Sequence, residues 1–366
     1  MGRPSLLRSH RPATPPGTPA LTAVSSDGSS EIRFSGQMQF RHVANHREGT
    51  GIDEDDFGFE FRRFRPGVSG SVLDGKVPFA LVAESDRNAP LELLDAWIGF
   101  KAEGGHTLRA GQFAPNFARE EQVSSRSRLA SDSTISHAFF NFGRAQGVDW
   151  RSQAGDWRWS VFFGEGSGDL NTPFTADADY GLTARVERKS AADWKRHDDF
   201  QGWRGEDTAW IAGAAVSIAG GEADADGDTV RDEDFSDLRG TVDFGIEGDG
   251  WNAFAAFFAQ TVDAQGISEV NSFGLTAQGG FFVSDNVDVF AQYAWADDDA
   301  DNGRLNVVTA GSNWYIHGHV VKLTIDANVA FDPITANFNS SSRGFLVDAM
   351  GEDGQIVLRT QLQLLF

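Results

Sequence analysis

Six arginines crowd into residues 109–151, and their chemistry suits the binding of an anion. A guanidinium group is permanently charged, and its planar donors match the oxygens of phosphate and carboxylate groups. The six are Arg109, Arg119, Arg126, Arg128, Arg144 and Arg151. In the alternative interpretation, these arginines pair with Glu120, Glu121 and Asp132 and hold the surrounding segment in place. Both interpretations remain open, and a local excess of positive charge in an acidic chain supports the first.

The acidic run around Gly227 matches a calcium loop only in part. Such a loop presents oxygen ligands at alternate positions, with glycine at the sixth position and a bidentate glutamate at the twelfth. The candidate ligands are Glu222, Asp224, Asp226, Asp228 and Glu233. The first ligand is Glu rather than Asp, and no amphipathic helix flanks the run. We therefore expect a solvated acidic loop that binds divalent ions weakly at most.

The other residues that could perform chemistry do not form a recognisable set. His317 and His319 flank a single glycine but have no third ligand, so we expect turn residues and no metal site. No Gly-x-Ser-x-Gly motif is present, and nothing selects one serine as a nucleophile beside His137. We predict no catalytic residues, no cofactor and no enzyme activity.

The elements that must position the arginines are β-strands, and the last strand shows their pattern most clearly. Successive side chains of a strand point to opposite faces. The apolar face carries Ile356, Leu358, Leu362, Leu364 and Phe366, and the polar face carries Gln355, Arg359, Gln361 and Gln363. Such a strand suits an outer-membrane barrel, with lipid outside and water inside. An edge strand of a soluble sandwich alternates in the same way.

The same alternation recurs along the chain, for example in 157–163, 287–296 and 319–331. We predict about sixteen strands, at 31–42, 57–73, 76–85, 91–102, 105–113, 145–153, 156–164, 180–190, 208–219, 238–248, 250–262, 270–283, 287–296, 304–316, 319–331 and 354–366. A soluble sandwich would bury its apolar faces under a second sheet. We therefore expect an all-β fold, a transmembrane antiparallel β-barrel.

The connections between these strands have two lengths. Tight turns are predicted at residues 104–105, 249–250 and 317–318. Long segments are predicted at 43–56, 114–144, 191–207, 220–237 and 332–353. Short turns at one rim and long loops at the other are typical of outer-membrane barrels. The longest segment, 114–144, has an apolar middle, so we expect it to fold into the lumen as a constriction loop.

Composition narrows the function classes further. The chain has 366 residues, no cysteine and a formal net charge of −22. Absence of cysteine excludes disulfides and thiolate metal sites, and the acidity argues against nucleic-acid binding. Residues 1–30 are rich in Pro, Ser, Thr and Arg, so we predict a disordered leader before a barrel domain at 31–366. This leader lacks the apolar core of a secretory signal, which would then lie upstream of Met1 if the protein is exported.

Several motifs together resemble the phosphate-selective porin O and P family. The motifs are Phe61–Arg65, Asp95–Phe100, Leu108–Phe113 followed by Pro115, Phe117, Glu120–Glu121 and Ser124–Arg126, then Gly143–Arg144, Gly147–Val148 and Gly311–Ile316. The resemblance covers roughly residues 57–164 and 304–366. It departs from the family at Ala114, where a lysine is common, and at Asn116, which separates Pro115 from Phe117.

The resemblance implies a sixteen-stranded, usually trimeric outer-membrane channel. Its third outer loop would fold inward, basic side chains would line the constriction, and Phe366 would be read by the insertion machinery. We expect passive diffusion of small hydrophilic solutes, with an anion or phosphate preference. The implied partners are outer-membrane lipid, lipopolysaccharide bridged to acidic loops, and two further copies of the chain. The net charge of −22 keeps a general or cation-preferring porin open, and the missing signal keeps a soluble all-β carbohydrate-binding module open.

Overall fold

The computed structural model contains a closed antiparallel barrel. It describes residues 20–48, 54–85, 90–141, 143–166, 171, 180–223, 233–265, 268–299, 303–348 and 354–366. The strands are β1 (Leu21–Val24), β2 (Glu31–Arg47), β3 (Glu54–Val72), β4 (Val77–Glu84), β5 (Glu92–Lys101), β6 (His106–Phe113), β7 (Ala145–Ala154), β8 (Trp157–Gly164), β9 (Tyr180–Lys189), β10 (Ala209–Ala223), β11 (Glu233–Gly248), β12 (Trp251–Ala264), β13 (Val270–Phe282), β14 (Val287–Asp298), β15 (Gly303–His319), β16 (Val321–Ala330) and β17 (Gln355–Leu365).

Strands β2 to β17 pair with their sequence neighbours, and β17 returns to β2, where Leu364 faces Met38 and Gln361 faces Arg41. These sixteen strands confirm the predicted fold class. A closed barrel leaves no strand edge unpaired, which a hydrocarbon environment requires. In β17 the side chains alternate as predicted: Leu358 and Leu362 are exposed on the outer wall, and Arg359 and Gln361 are buried inside.

Part of the predicted disordered leader, residues 1–30, forms a strand. Residues Leu21–Val24 form β1, which pairs with the first residues of β2 in the register Leu21 to Phe34. Strand β17 ends near Gly36, so the preceding part of β2 would present a free edge on that side. Strand β1 covers this edge, and an unpaired strand edge is a site of unwanted association. Residues 1–19 lie outside the described residues.

The helices are short, and most of them lie in two of the connections. They are α1 (Arg119–Gln122) and α2 (Ile135–Phe140), with 3-10 turns at Glu103–Gly105, Ser125–Ser127, Trp194–His197, Ala336–Phe338 and Ser341–Arg343. No helix in the described ranges has the length and apolar character needed to cross a bilayer.

The two rims of the barrel differ in their connections. We call the rim where 114–144 joins β6 to β7 the loop rim, and the opposite rim, where the chain ends at Phe366, the turn rim. Most turn-rim connections contain one to four residues. Residues 190–208 are the exception: this long connection joins β9 to β10 at the turn rim, against the expectation that long segments share one rim.

The hydrophobic core lies inside the barrel. Apolar side chains of 114–144 pack against the inner wall of β12 to β16 and against the connection between β16 and β17. This cluster includes Phe117, Val123, Leu129, Ile135, Phe140, Phe254, Phe258, Phe290, Ile334 and Phe338. The segment therefore fills the half of the lumen beside these strands, and the open space lies beside β2 to β9.

Candidate functional site

A β-bulge turns two consecutive arginines of β3 into the lumen. The register between β2 and β3 shifts where Gln39 faces Arg63 and Phe40 faces Phe61, which leaves Arg62 as the extra residue. Bulges commonly redirect a side chain in this way. Both Arg62 and Arg63 are buried inside the barrel.

These arginines surround one carboxylate of the inward segment. Asp132 accepts hydrogen bonds from Arg41 Nη1 and Arg63 Nη2, each at 2.6 Å, and Arg62 Nη2 lies 3.1 Å from it. Burial disfavours the charge on Asp132, but Arg62, Arg63 and Arg41 hold its pKa well below the usual range. Arg343 also contributes positive potential here. Several cations therefore fix one anion, and positive charge remains in excess around it.

Further hydrogen bonds attach 114–144 to the opposite wall. Asp326 accepts a hydrogen bond from Ser131 N at 3.0 Å, and Lys322 Nζ donates to the Arg128 carbonyl at 2.9 Å. The hydroxyl groups of Thr134 and Thr276 are hydrogen-bonded to each other at 2.8 Å. The docked segment is thus held by charged and neutral hydrogen bonds on both sides of the lumen.

Aromatic packing fixes the end of the same segment. Phe140 stacks on Phe258 with ring centroids 5.3 Å apart. Its ring lies directly over Gly274, where even a methyl group would overlap it. The glycine therefore permits a close approach that any larger residue would block.

The two predicted anchoring glutamates have different partners. Glu120 accepts hydrogen bonds from the amide and hydroxyl of Thr134, at 3.0 and 2.7 Å, so it braces the segment internally. Glu121 lies 3.5 Å from His137 and 3.7 Å from both Arg128 and Arg144. Burial raises the pKa of Glu121, but the His137 hydrogen bond and the two arginines outweigh it and lower the pKa to about 2. Glu121 thus stays charged.

Five of the six predicted arginines are engaged by partners. Arg109 and Arg151 share Asp149, at 2.6 and 2.7 Å. Arg144 lies 3.0 Å from Asp95. The remaining two bind carbonyl oxygens: Arg119 donates to His197, and Arg128 donates to Glu120 at 2.8 Å.

Arg126 differs from the other five. Its side chain is half-buried and lines a lumen cavity of about 410 Å³. Within the part of the chain that the structure describes, no hydrogen bond or ion pair engages its guanidinium. Burial and the charge of Arg65 lower its pKa from the ordinary arginine value. Arginine side chains are effectively always protonated in proteins. Arg126 is thus a charged group available to a solute.

The cavity beside Arg126 carries more positive than negative side chains. Its arginines are Arg63, Arg65, Arg126, Arg128, Arg144 and Arg343, against the carboxylates Asp95 and Glu121. A second cavity of about 360 Å³ is lined by Arg119, Arg151, Arg158 and Arg185, against Glu187 and Asp198. Both cavities could hold small anions, because arginines outnumber carboxylates in each.

Further arginines of the site come from other elements and were not predicted from the sequence. Arg41, Arg62, Arg63 and Arg65 come from β2 and β3, and Arg343 comes from the connection before β17. Arg41 follows the polar alternation of Gln37 and Gln39, which could have revealed its inward face. The consecutive pair at 62 and 63 required the bulge to be known.

The remaining predicted sites do not form a metal centre among the described residues. Asp224, Asp226 and Asp228 lie outside the described ranges, and Glu222 and Glu233 are at the facing ends of β10 and β11. His317 lies at a bulge, and His319 lies 3.2 Å from Asp199.

Comparisons with known proteins give a family from one match and a fold from others. The family model for phosphate-selective porin O and P matches residues 36–329. The anion-selective porin from Comamonas acidovorans is 13% identical, with a TM-score of 0.66 over 92% of this chain and 100% of that one. The outer-membrane channel DcaP of Acinetobacter baumannii is also 13% identical, with a TM-score of 0.64 over 93% of this chain and 99% of that one.

A third similar structure is OmpT of Vibrio cholerae, which is 11% identical with a TM-score of 0.61 over 94% of this chain and 100% of that one. At these identities the similarity shows the fold. No curated protein matches the sequence.

Proposed function

The chain belongs to the phosphate-selective porin O and P family, and we propose that this outer-membrane porin lets small hydrophilic anions, phosphate among them, diffuse passively through its lumen. Its fold and family are those of a channel. The observation that carries the anion preference is the unpaired guanidinium of Arg126 beside a cavity where six arginines face two carboxylates.

The proposed mechanism requires no reaction. Residues 114–144 narrow the lumen, and fixed charges at the narrow part bias which ions enter. A charge acts more strongly in a confined, partly desolvated space than in bulk water. An anion can contact Arg126 without first breaking an ion pair, whereas Arg63 and Arg109 are committed to Asp132 and Asp149.

The net charge of −22 does not oppose this proposal, because much of the acidity lies away from the lumen. Exposed acids stand at the loop rim, at 54–56 where β3 begins and at Asp299 just beyond β14, next to the half-buried Asp297. Charges on a solvated rim are screened within about 8 Å at physiological salt. The arginines inside the lumen are closer to a passing ion.

We extend the proposal to the partners of the barrel. One structure of OmpT is a trimer form, and we propose that this chain assembles as a homotrimer too. Its apolar outer wall would face lipid, and its acidic loop rim would bind lipopolysaccharide through divalent ions.

The test is an Arg126→Ala substitution measured in a planar bilayer with a salt gradient. A unit charge about 6 Å from a passing ion contributes roughly 0.7 kcal/mol even at the dielectric constant of water, or about a threefold change in relative permeability. We expect the reversal potential to move toward the cation value by that amount.

Arg304→Ala is the matched control. This arginine is exposed at the loop rim beside Asp297, so its loss removes the same charge from outside the lumen. An Arg126→Ala channel with the reversal potential of the wild type would contradict the proposed role.

A further inference from the structure

The long connection at the turn rim enters the barrel. Residues 190–208 bury Trp194, Phe200 and Trp203 inside the lumen. Trp203 packs against Phe282 and Tyr315, with ring centroids 5.3 and 5.0 Å apart. Buried aromatic rings supply much of the packing energy of a segment. The connection is therefore anchored inside the barrel rather than extended into solvent.

This connection also meets the inward segment that comes from the other rim. Phe200 N donates to the Ser127 carbonyl at 3.4 Å, and Gln201 Nε2 donates to the Arg128 carbonyl at 3.3 Å. Arg119 of the inward segment donates to the His197 carbonyl. These contacts lie on both sides of Asp198 in sequence, so the position of Asp198 is set by the loop of the opposite rim.

Asp198 carries a free negative charge at this junction. Its side chain is exposed to the second cavity, near Arg119 and Arg158. Within the described ranges, no hydrogen bond or ion pair engages its carboxylate. Asp198 is close enough to Arg126 to stabilise the positive charge of that arginine. The lumen therefore presents two unpaired charges of opposite sign, one from each rim.

We propose that residues 190–208 form a second constriction element, entering from the turn rim, and that Asp198 is a specificity-determining residue that limits the anion preference set by Arg126. An anion that approaches Arg126 is repelled by Asp198, and a cation is attracted by it. The inference rests on the proposed function for the direction of the overall preference. It concerns a different residue and the opposite rim.

The first test is Asp198→Asn in a planar bilayer. Loss of this charge should raise the anion-to-cation permeability ratio about threefold, with a larger effect at low ionic strength. Asp207→Asn is the matched control, because Asp207 is exposed on the same connection and does not line either of the two cavities. An unchanged ratio in Asp198→Asn would overturn the inference.

A second test avoids any doubt about folding. The chain has no cysteine, so Asp198→Cys introduces a single thiol that can be modified in an inserted, conducting channel. A cationic methanethiosulfonate should raise the anion preference of that channel, and an anionic one should lower it. If reagents of both signs leave conductance and reversal potential unchanged, Asp198 does not face the permeation path and the inference fails.

The outcomes separate this inference from the proposed function. A wild-type channel that prefers anions but does not respond at position 198 retains the proposed function and overturns the inference. A wild-type channel that prefers cations and shifts toward anions in Asp198→Asn contradicts the proposed function and supports the role of Asp198.

Discussion

Two charged residues of the inward segment differ in how firmly they are held. Asp132 lies among Arg41, Arg62 and Arg63, and its pKa is far below that of an ordinary aspartate. Arg126 has no such partner among the described residues. The first residue therefore serves to dock the segment, and we assign to the second the contact with solutes.

Replacing Asp132 with Asn should loosen the docked segment. Removing one partner of a buried ion pair leaves uncompensated charge and typically costs about 3–5 kcal/mol. We expect faster hydrogen exchange across 114–144 and noisier single-channel current. Asp297→Asn, which removes a carboxylate from the pair with the exposed Arg304 at the loop rim, should change neither. Unaltered exchange in the Asp132 variant would show that the apolar contacts alone dock the segment.

The charge on Asp198 also predicts a pH dependence. Asp198 faces a cavity inside the lumen, where the surrounding protein partly desolvates it. This desolvation raises its pKa, as do Asp199 and Asp193, while Arg119 and Arg158 oppose the shift. A raised pKa means that this carboxyl group is protonated at a higher pH than an ordinary aspartate. Anion preference should therefore rise as the pH falls from 7 toward about 4.

This dependence is measured as the reversal potential at a series of pH values, for the wild type and Asp198→Asn. The difference between the two channels should shrink as the pH falls, because protonation makes the wild type equivalent to the variant. A difference that stays constant down to about pH 3 would contradict the assignment of the titration to this residue.

At the level of elements, the alternation of apolar and polar side chains was the sequence feature that predicted the strands best. Alternation along 319–331 and 354–366 predicts β16 and β17 nearly to their ends. Strand β1 was not predicted, because Leu21–Val24 is too short to show a clear alternation. It forms by pairing with the free edge at the start of β2. The sequence could not show which edge would be free.

The inward course of 190–208 could not be predicted for a related reason. In the sequence, this polar segment has only isolated aromatic residues, which indicate a loop: Trp194, Phe200 and Trp203. Trp203 packs on Phe282 and Tyr315, and Phe200 packs on Phe254, all of them far away in sequence. Only the closed barrel brings them together.

Strand β17 carries a prediction about assembly. Phe366 is 52% exposed, its ring covers Gly36, and its backbone exchanges hydrogen bonds with Gly36 at 2.5 and 3.0 Å. Lipid burial of an aromatic ring is worth roughly 1.5–3 kcal/mol, which is small against the pairing of a whole barrel. We propose, however, as the family resemblance implies, that the insertion machinery recognises the terminal aromatic strand.

Deleting Phe366 should therefore lower the amount inserted in cells and leave detergent refolding of the purified chain largely intact. Leu364→Ala, on the same outer face, is the control for loss of apolar area. Membrane levels and refolding yield are the two measurements. If both fall equally in the deletion, Phe366 acts through packing rather than as an assembly signal.

Across the whole molecule, charge is divided between rim and lumen. The sequence gives one net charge, and from that value a cation-preferring porin was a reasonable alternative. The fold separates the contributions, because exposed acids collect at the loop rim, whereas arginines from β3, the inward segment and the connection before β17 meet around one cavity. Arg126 and the five arginines around it were visible in the sequence, but the ion pairs and hydrogen bonds that engage those five were not.

In the proposed mechanism the lumen, rather than the net charge, sets the ion preference. The most direct measurement is the reversal potential of the wild-type channel in a planar bilayer under a potassium chloride gradient, with phosphate then substituted for chloride. We predict a potential of the sign expected for anion permeation. A cation-selective potential would contradict the claim.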